Sequence, residues 1–225
     1  MTINELCAST GAAQVKARGW ALARTGSGSR ELLSVLEAVA RQFGTPQAGR
    51  QGRLMDRLNP RSQGEAHPKS LSAIHGAGAF PLHTDGAHLT KPPRFIVLGC
   101  QAAGSSPVPT VLVHYDSLGL AESTAADLSA APFLVSNGRR SFYSTICDGK
   151  EMRVRYDRGC MRPASSRSAK LAARFDDALS RAPMHIHRWA AGDILVLDNW
   201  RVLHGRGLGA GMPSSDRTLL RVTIQ

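Results

Sequence analysis

His83-Thr84-Asp85 and, far downstream, Gly192-Asp-Ile-Leu-Val-Leu-Asp-Asn199-Trp-Arg-Val-Leu-His204-Gly-Arg206 are the stretches from which this chain is best read. In an extended, strand-rich fold residues two apart share a face, so His83 and Asp85 can reach a single ion. His204, in a separate strand-like stretch, is the candidate third ligand. Two nitrogens and one oxygen on one side of a metal leave positions open on the other. That set suits non-haem Fe(II), whose remaining positions can take a chelating co-substrate and dioxygen.

Outward from these motifs, short strand signals recur at Leu71 to His75, Phe95 to Gly99, Val111 to Tyr115, Phe142 to Ile146, Arg153 to Tyr156, Met184 to Trp189, Ile194 to Leu197 and Thr218 to Ile224. Such spacing predicts a sandwich or barrel. Upstream, Lys16 to Ala23 reads as a first strand and Leu54 to Leu58 as another, the latter between Gly-, Pro- and polar-rich loops. Arg30 to Phe43 carries Leu32, Leu36, Val39 and Phe43 at helical spacing, with Ser29 placed to cap its start and Gly44 its end. Leu171, Phe175, Ala178 and Leu179 predict a second helix covering one face of the sheet. A chain of 225 residues can be one mainly β domain with flanking helices. On this reading a strand-helix region at about 1–60 packs on a strand-rich body at about 70–225.

Composition excludes several classes. The longest apolar runs fall short of the roughly 18 residues of a spanning helix, and Lys16, Arg18 and Arg24 break up the N-terminal segment, so a soluble cytoplasmic protein is expected. Cys7, Cys100, Cys147 and Cys160 form no C-x-x-C pair, which argues for reduced thiols rather than a zinc ribbon or a disulfide framework. The net charge of +11 is concentrated between Arg139 and Arg174, where ten basic residues stand against Asp148, Glu151 and Asp157. Aromatics are only 5% of the chain, and stacking residues are scarce in this stretch, which disfavours a nucleic-acid surface. A solvated basic face, or a region that attracts an anionic small substrate, remains. An oligomer is compatible with the sequence, but no feature asks for one.

The order H-x-D, distal His, then Arg is the pattern of Fe(II)/2-oxoglutarate-dependent oxygenases, and the chain resembles their taurine dioxygenase (TauD/TfdA) branch. The likeness is carried by His83-Thr-Asp-Gly-Ala-His88, Pro92-Pro-Arg94 leading into the strand from Phe95, Thr110, the Gly192 to Asn199 run before His204, and Arg217-Thr-Leu-Leu-Arg221 near the end. It covers roughly residues 70 to 225. The resemblance implies a double-stranded β-helix, a cupin-like jelly roll, with His83, Asp85 and His204 as iron ligands. It implies Fe(II), 2-oxoglutarate and O2 as cofactors, with succinate and CO2 released. Arg217 and Thr110 then match the residues that hold the distal carboxylate of 2-oxoglutarate, although relatives have Gly-Gly where this chain has Val108-Pro109. Arg221 falls where relatives use an arginine near substrate or co-substrate, and is the expected contact for a substrate anion.

Further residues flank these positions. His75, Phe80, His88, Arg155 and Arg162 are candidates for the pocket wall, and Ser72, Asn199 and Arg206 for groups that orient the ligands. His185-Ile-His187 also has metal spacing but reads as an ordinary strand. Asp85 disfavours halogenation, for which related enzymes carry a small residue in place of the carboxylate. The expected function is hydroxylation of a small amino-acid-like or other anionic molecule, in keeping with specialised metabolism. Desaturation, cyclisation and dealkylation use the same cofactors and are not separated by these motifs. A catalytically silent basic jelly-roll binding protein is the reading of another class, and the intact triad opposes it.

Overall fold

A computed structural model describes residues 2–7, 9–25, 29–49, 52–66, 71–76, 78–105, 108–138, 140–208 and 216–225. The chain is mainly β, with helices on the outside. It begins with α1 (Ile3–Cys7) and α2 (Ser9–Arg18), followed by β1 (Trp20–Arg24), α3 (Ser29–Phe43), β2 (Pro46–Gln47), β3 (Asp56–Leu58) and α4 (Leu71–His75). The middle holds β4 (Phe95–Ala102), β5 (Thr110–His114), α5 (Glu122–Ala130), β6 (Phe133–Ser136), β7 (Ser141–Ser144), β8 (Cys147–Asp148), β9 (Arg153–Val154) and β10 (Met161–Pro163). Last come α6 (Ser166–Arg181), β11 (His185–His187), β12 (Asp193–Asp198), β13 (Val202–Arg206) and β14 (Thr218–Ile224).

Two antiparallel sheets position the site. The larger runs β1-β12-β4-β14, with β2 and β3 both pairing the far side of β14. The smaller is β11-β5-β13, and a bridge between His83 and His204 extends it. Alternation along the strands separates three apolar layers. Ile96, Leu98, Leu195, Leu197 and Leu219 of the larger sheet meet Leu112 and Val202 of the smaller one. The opposite face of the larger sheet presents Val97, Ile194, Val196, Leu220 and Val222 to Leu32, Leu36 and Val39 of α3. On the outside of the smaller sheet, Val113 and Leu203 join Phe133, Leu171 and Phe175.

Close approach explains a glycine on the helix side. A Cβ at Gly99 would stand 2.6 Å from Leu36, so a side chain there would push α3 off the sheet. Gly44 ends α3 at φ 142, and a Cβ there would meet the Gln225 carbonyl at 2.5 Å. That glycine lets the chain leave the helix and run into β2 beside the end of β14.

The helices expected at residues 30–43 and around Leu171 are present, as are most of the strands. The side chain of Ser29 lies outside the described residues, so its capping role is not seen. Two expectations are corrected. Lys16 to Arg18 belongs to α2, and the strand starts only after Gly19, whose φ of 85 turns the chain sharply. Leu71 to His75 is a helix rather than a strand, and five residues with two large apolar side chains are too few to separate the two periods. The N-terminal region also does more than pack on the larger sheet, since β1, β2 and β3 supply three of its six strands.

Candidate active site

His83, Asp85 and His204 converge, with one potential ligand atom of each lying within 4.8 Å of the others. The convergence is built by backbone. His83 and His204 exchange N–H to carbonyl bonds of 2.9 and 3.1 Å, which places the two rings side by side with centroids 4.7 Å apart. Asp85 follows in a turn rather than a strand. The Asn199 amide grips that turn: its oxygen accepts from the Asp85 N–H at 2.9 Å, and its nitrogen donates to the carbonyls of Asp85 and Pro93. One residue back, Thr84 donates to Val154 and accepts from the Tyr156 N–H.

The donor set fits a metal. Bonds of about 2.1 Å at right angles put neighbouring donors roughly 3 Å apart. Asp85 Oδ1 lies 3.5 Å from His83 Nε2, and Asp85 Oδ2 lies 3.9 Å from His204 Nε2. The His83 Nδ1 faces the Pro81 carbonyl at 3.0 Å, which leaves Nε2 to point at the centre. Charge follows the same pattern. Burial opposes the Asp85 anion, but Arg221 and both histidines hold its carboxyl well below the usual range. Burial and the neighbouring His83 push His204 down to about 4, so at neutral pH it is a neutral imidazole with a lone pair to offer. Burial also opposes the His83 cation, yet Asp85 outweighs it and raises that pKa, so the carboxylate favours positive charge beside it.

A cavity of about 1210 Å³ opens over these residues. Thr110 and Arg217, both 5% exposed, stand on its wall. Among the described residues the Arg217 guanidinium has no hydrogen-bond partner, and its Nε is fully buried. Burial lowers its pKa, and Arg206 beside it is pushed down to about 10 by burial and by the Arg217 charge. Two adjacent cations at this end call for an anion.

Several expected contacts sit elsewhere. Arg221 is not held out for a substrate: its Nη1 donates to Asp85 Oδ2 at 2.9 Å and its Nη2 to Asp56 Oδ2 at 2.7 Å. Arg155 is not on the cavity wall. It is 2% exposed and donates to the carbonyls of Ala87, Leu89 and Thr90, so it ties down the loop after the Asp85 turn. Arg162 lies exposed on β10, away from that wall. Phe80, His88 and Ser72 do line the cavity. Arg206 stacks on Phe80 at 3.7 Å and donates to Gly76 and Gly78, and the His75 ring lies 5.9 Å from Phe80.

The sequence reading missed Asp56, Asp157 and Trp189. Asp56 carries no motif. Asp157 lines the cavity and acts on His83, and only its place in a polar Tyr-Asp-Arg-Gly turn hinted at a role. Trp189 ended a stretch that read as an ordinary strand, which concealed its polar handle.

The model of the family described as "Taurine catabolism dioxygenase TauD, TfdA family" matches residues 108–223, which contain Thr110, His204, Arg217 and Arg221 but not His83 or Asp85. No curated protein matches the chain. Among solved structures it is similar to an asparagine oxygenase in complex with Fe(II), 2S,3S-3-hydroxyasparagine and succinate. The identity is 17% and the TM-score 0.78, over 99% of this chain and 77% of that one. It is also similar to the non-haem iron oxygenase OrfP in complex with Fe and alpha-ketoglutaric acid, at 17% identity and TM-score 0.75 over 99% and 78%. PvcB, an Fe, alpha-ketoglutarate dependent oxygenase from an isonitrile synthetic pathway, aligns at 23% identity and TM-score 0.72 over 100% and 82%. With more than half of the chain matched by the family model, the protein belongs to the TauD/TfdA dioxygenase family, the 2-oxoglutarate-dependent non-haem iron oxygenases.

Proposed function

We propose that the protein hydroxylates a small amino-acid-like or other anionic molecule, with His83, Asp85 and His204 holding Fe(II) and Arg217 with Thr110 holding the distal carboxylate of 2-oxoglutarate. Fe(II), 2-oxoglutarate and O2 together supply the oxidising power, with release of succinate and CO2. The observation that carries the reading is a buried guanidinium with no hydrogen-bond partner among the described residues, in the same cavity as two imidazoles and a carboxylate. A dicarboxylate is the ligand that satisfies both ends at once.

The chain's own groups divide the work. Arg221 keeps Asp85 ionised and occupies its Oδ2, which leaves Oδ1 for the metal. A carboxylate bound through one oxygen keeps more positions open for co-substrate and O2. Asp157 is the cavity carboxylate not engaged by Arg221, and suits a substrate ammonium. Arg57 and Arg61 on the rim and Lys91 suit a substrate carboxylate. Such a pair fits the asparagine oxygenase and OrfP, whose structures contain hydroxylated amino acids. This assignment moves the substrate anion from Arg221 to the rim.

On the same reading the two facing sheets form a double-stranded β-helix in a single domain. Among the described residues no helix is long and apolar enough to cross a membrane, in keeping with a cytoplasmic enzyme. Incubation with Fe(II), 2-oxoglutarate and a panel of free amino acids, followed by assays for succinate and hydroxylated product, tests the proposal. His83→Ala, Asp85→Ala and His204→Ala should each abolish both products and the visible charge-transfer band of the anaerobic Fe(II)/2-oxoglutarate complex. Wild-type turnover by Asp85→Ala would sink the triad assignment.

A further inference from the structure

The Thr110 hydroxyl is not free to choose its role. We infer that Trp189 is a positioning residue which fixes that hydroxyl as a hydrogen-bond donor to the anion held by Arg217, and so sets the polarity of the co-substrate end of the cavity. The inference rests on the reading of Thr110 and Arg217 given above.

Trp189 Nε1 lies 2.8 Å from Thr110 Oγ1, and both residues are buried. An indole N–H can only donate, whereas a threonine hydroxyl carries one proton and accepts through its lone pairs. The bond therefore has one possible direction: Thr110 accepts, and its own proton is turned away from the indole. Among the described residues that proton has no acceptor, and Thr110 stands on the cavity wall. A buried O–H without an acceptor is costly, so the arrangement is completed by an acceptor in the cavity.

The surroundings select an anion. Arg217 and Arg206 add donors at the same end, and donate only. Of the carboxylates on the wall, Asp56 and Asp85 are engaged by Arg221, and Asp157 acts on His83. The Thr110 end is thus lined by donors and favours a carboxylate over a group that must itself donate.

The indole is held firmly enough to do this. β11 pairs with β5 in a register that sets His187 opposite Thr110, and the chain two residues later brings Trp189 over the threonine. His187 meets the indole edge-on, with centroids 4.5 Å apart and the planes at 79°. Cys100 and Leu195 belong to the same core cluster as Trp189 and help to fix the ring.

Trp189→Phe removes the N–H and keeps a ring. The metal-loaded variant should bind 2-oxoglutarate about 2- to 13-fold more weakly, the size of one neutral hydrogen bond, with metal affinity unchanged. Thr110→Val should weaken binding at least as much, and adding Trp189→Phe to it should cost nothing further. Thr110→Ser should stay sensitive to Trp189→Phe. Wild-type affinity in Trp189→Phe alongside weakened Thr110→Val overturns the role of Trp189, as does an equal penalty for Trp189→Phe with and without Thr110. An unchanged Thr110→Val would instead overturn the underlying co-substrate assignment. Should Trp189→Phe fail to fold, the 15N-indole resonance of Trp189 in the Zn(II)-loaded protein serves. It should shift on titration with 2-oxoglutarate in wild type and not in Thr110→Val, and the same shift in both would overturn the inference.

Discussion

Arg217 and Arg221 lie four residues apart, one just before β14 and one within it, and line the same cavity, yet they meet opposite fates. Arg221 is pinned between Asp56 and Asp85. Arg217 is more deeply buried and has no hydrogen-bond partner among the described residues. Burying a guanidinium costs several kcal/mol unless it is paired. At the Arg221 end the fold supplies the compensating charge itself, whereas at the Arg217 end no carboxylate among the described residues does so. On the proposed function, the first arrangement holds Asp85 in place for the metal and the second recognises the co-substrate.

That contrast can be broken by removing each cation in turn. Arg221→Met removes the cation held between Asp56 and Asp85 and should lower the unfolding free energy by about 3 to 5 kcal/mol, read by urea denaturation of the metal-free protein. Arg217→Ala should leave that stability unchanged or raise it, because an unpaired buried charge is gone. It should instead lose about 2 to 5 kcal/mol of 2-oxoglutarate affinity, roughly 30- to 5,000-fold in Kd. Equal stability losses in the two variants would show that Arg217 has a partner within the protein.

A smaller effect is expected at the backbone grip on the ligand turn. Asn199→Ala removes three hydrogen bonds that fix Asp85 and Pro93. Outer partners of this kind are worth about 10- to 100-fold in metal affinity, and Co(II) titration against a chelator measures it. Affinity within twofold of wild type would assign the hold on Asp85 to Arg221 and Arg155 instead.

The smallest effect sharpens the comparison on β5 and β11 of the smaller sheet, where His114, His185 and His187 are lowered below the ordinary histidine range, in each case mainly by burial. Groups that bind protons less readily when folded stabilise the fold fully above their unfolded pKa, about 6.5. The unfolded chain takes up the protons first, so stability falls as pH drops below that value toward their folded pKa values. His83, whose pKa is raised, acts in the opposite sense. Melting of the metal-free protein should therefore be measured between pH 7.5 and 5.5 in wild type and in His187→Asn. The variant should lose less on acidification, and an identical slope would remove His187 from this account.

Sequence alone singled out His83, Asp85 and His204, which converge in the fold, together with the strand-rich body and the two amphipathic helices. Those features are written in spacing and period, which depend on neighbours along the chain. His83 and Asp85 share a motif, the run before His204 announces its strand, and the Leu32 to Phe43 periodicity marks α3. Where two periods fit equally, as at Leu71 to His75, spacing could not choose the helix that is observed. The tertiary structure alone decided which charged groups find partners. Asp56 meets Arg221 across 165 residues because β3 and β14 pair in that register, and Trp189 meets Thr110 across 79 because β11 lies beside β5. Whether an arginine binds a ligand or braces a carboxylate depends on what lies within hydrogen-bond reach once the chain is folded, and strand register sets that.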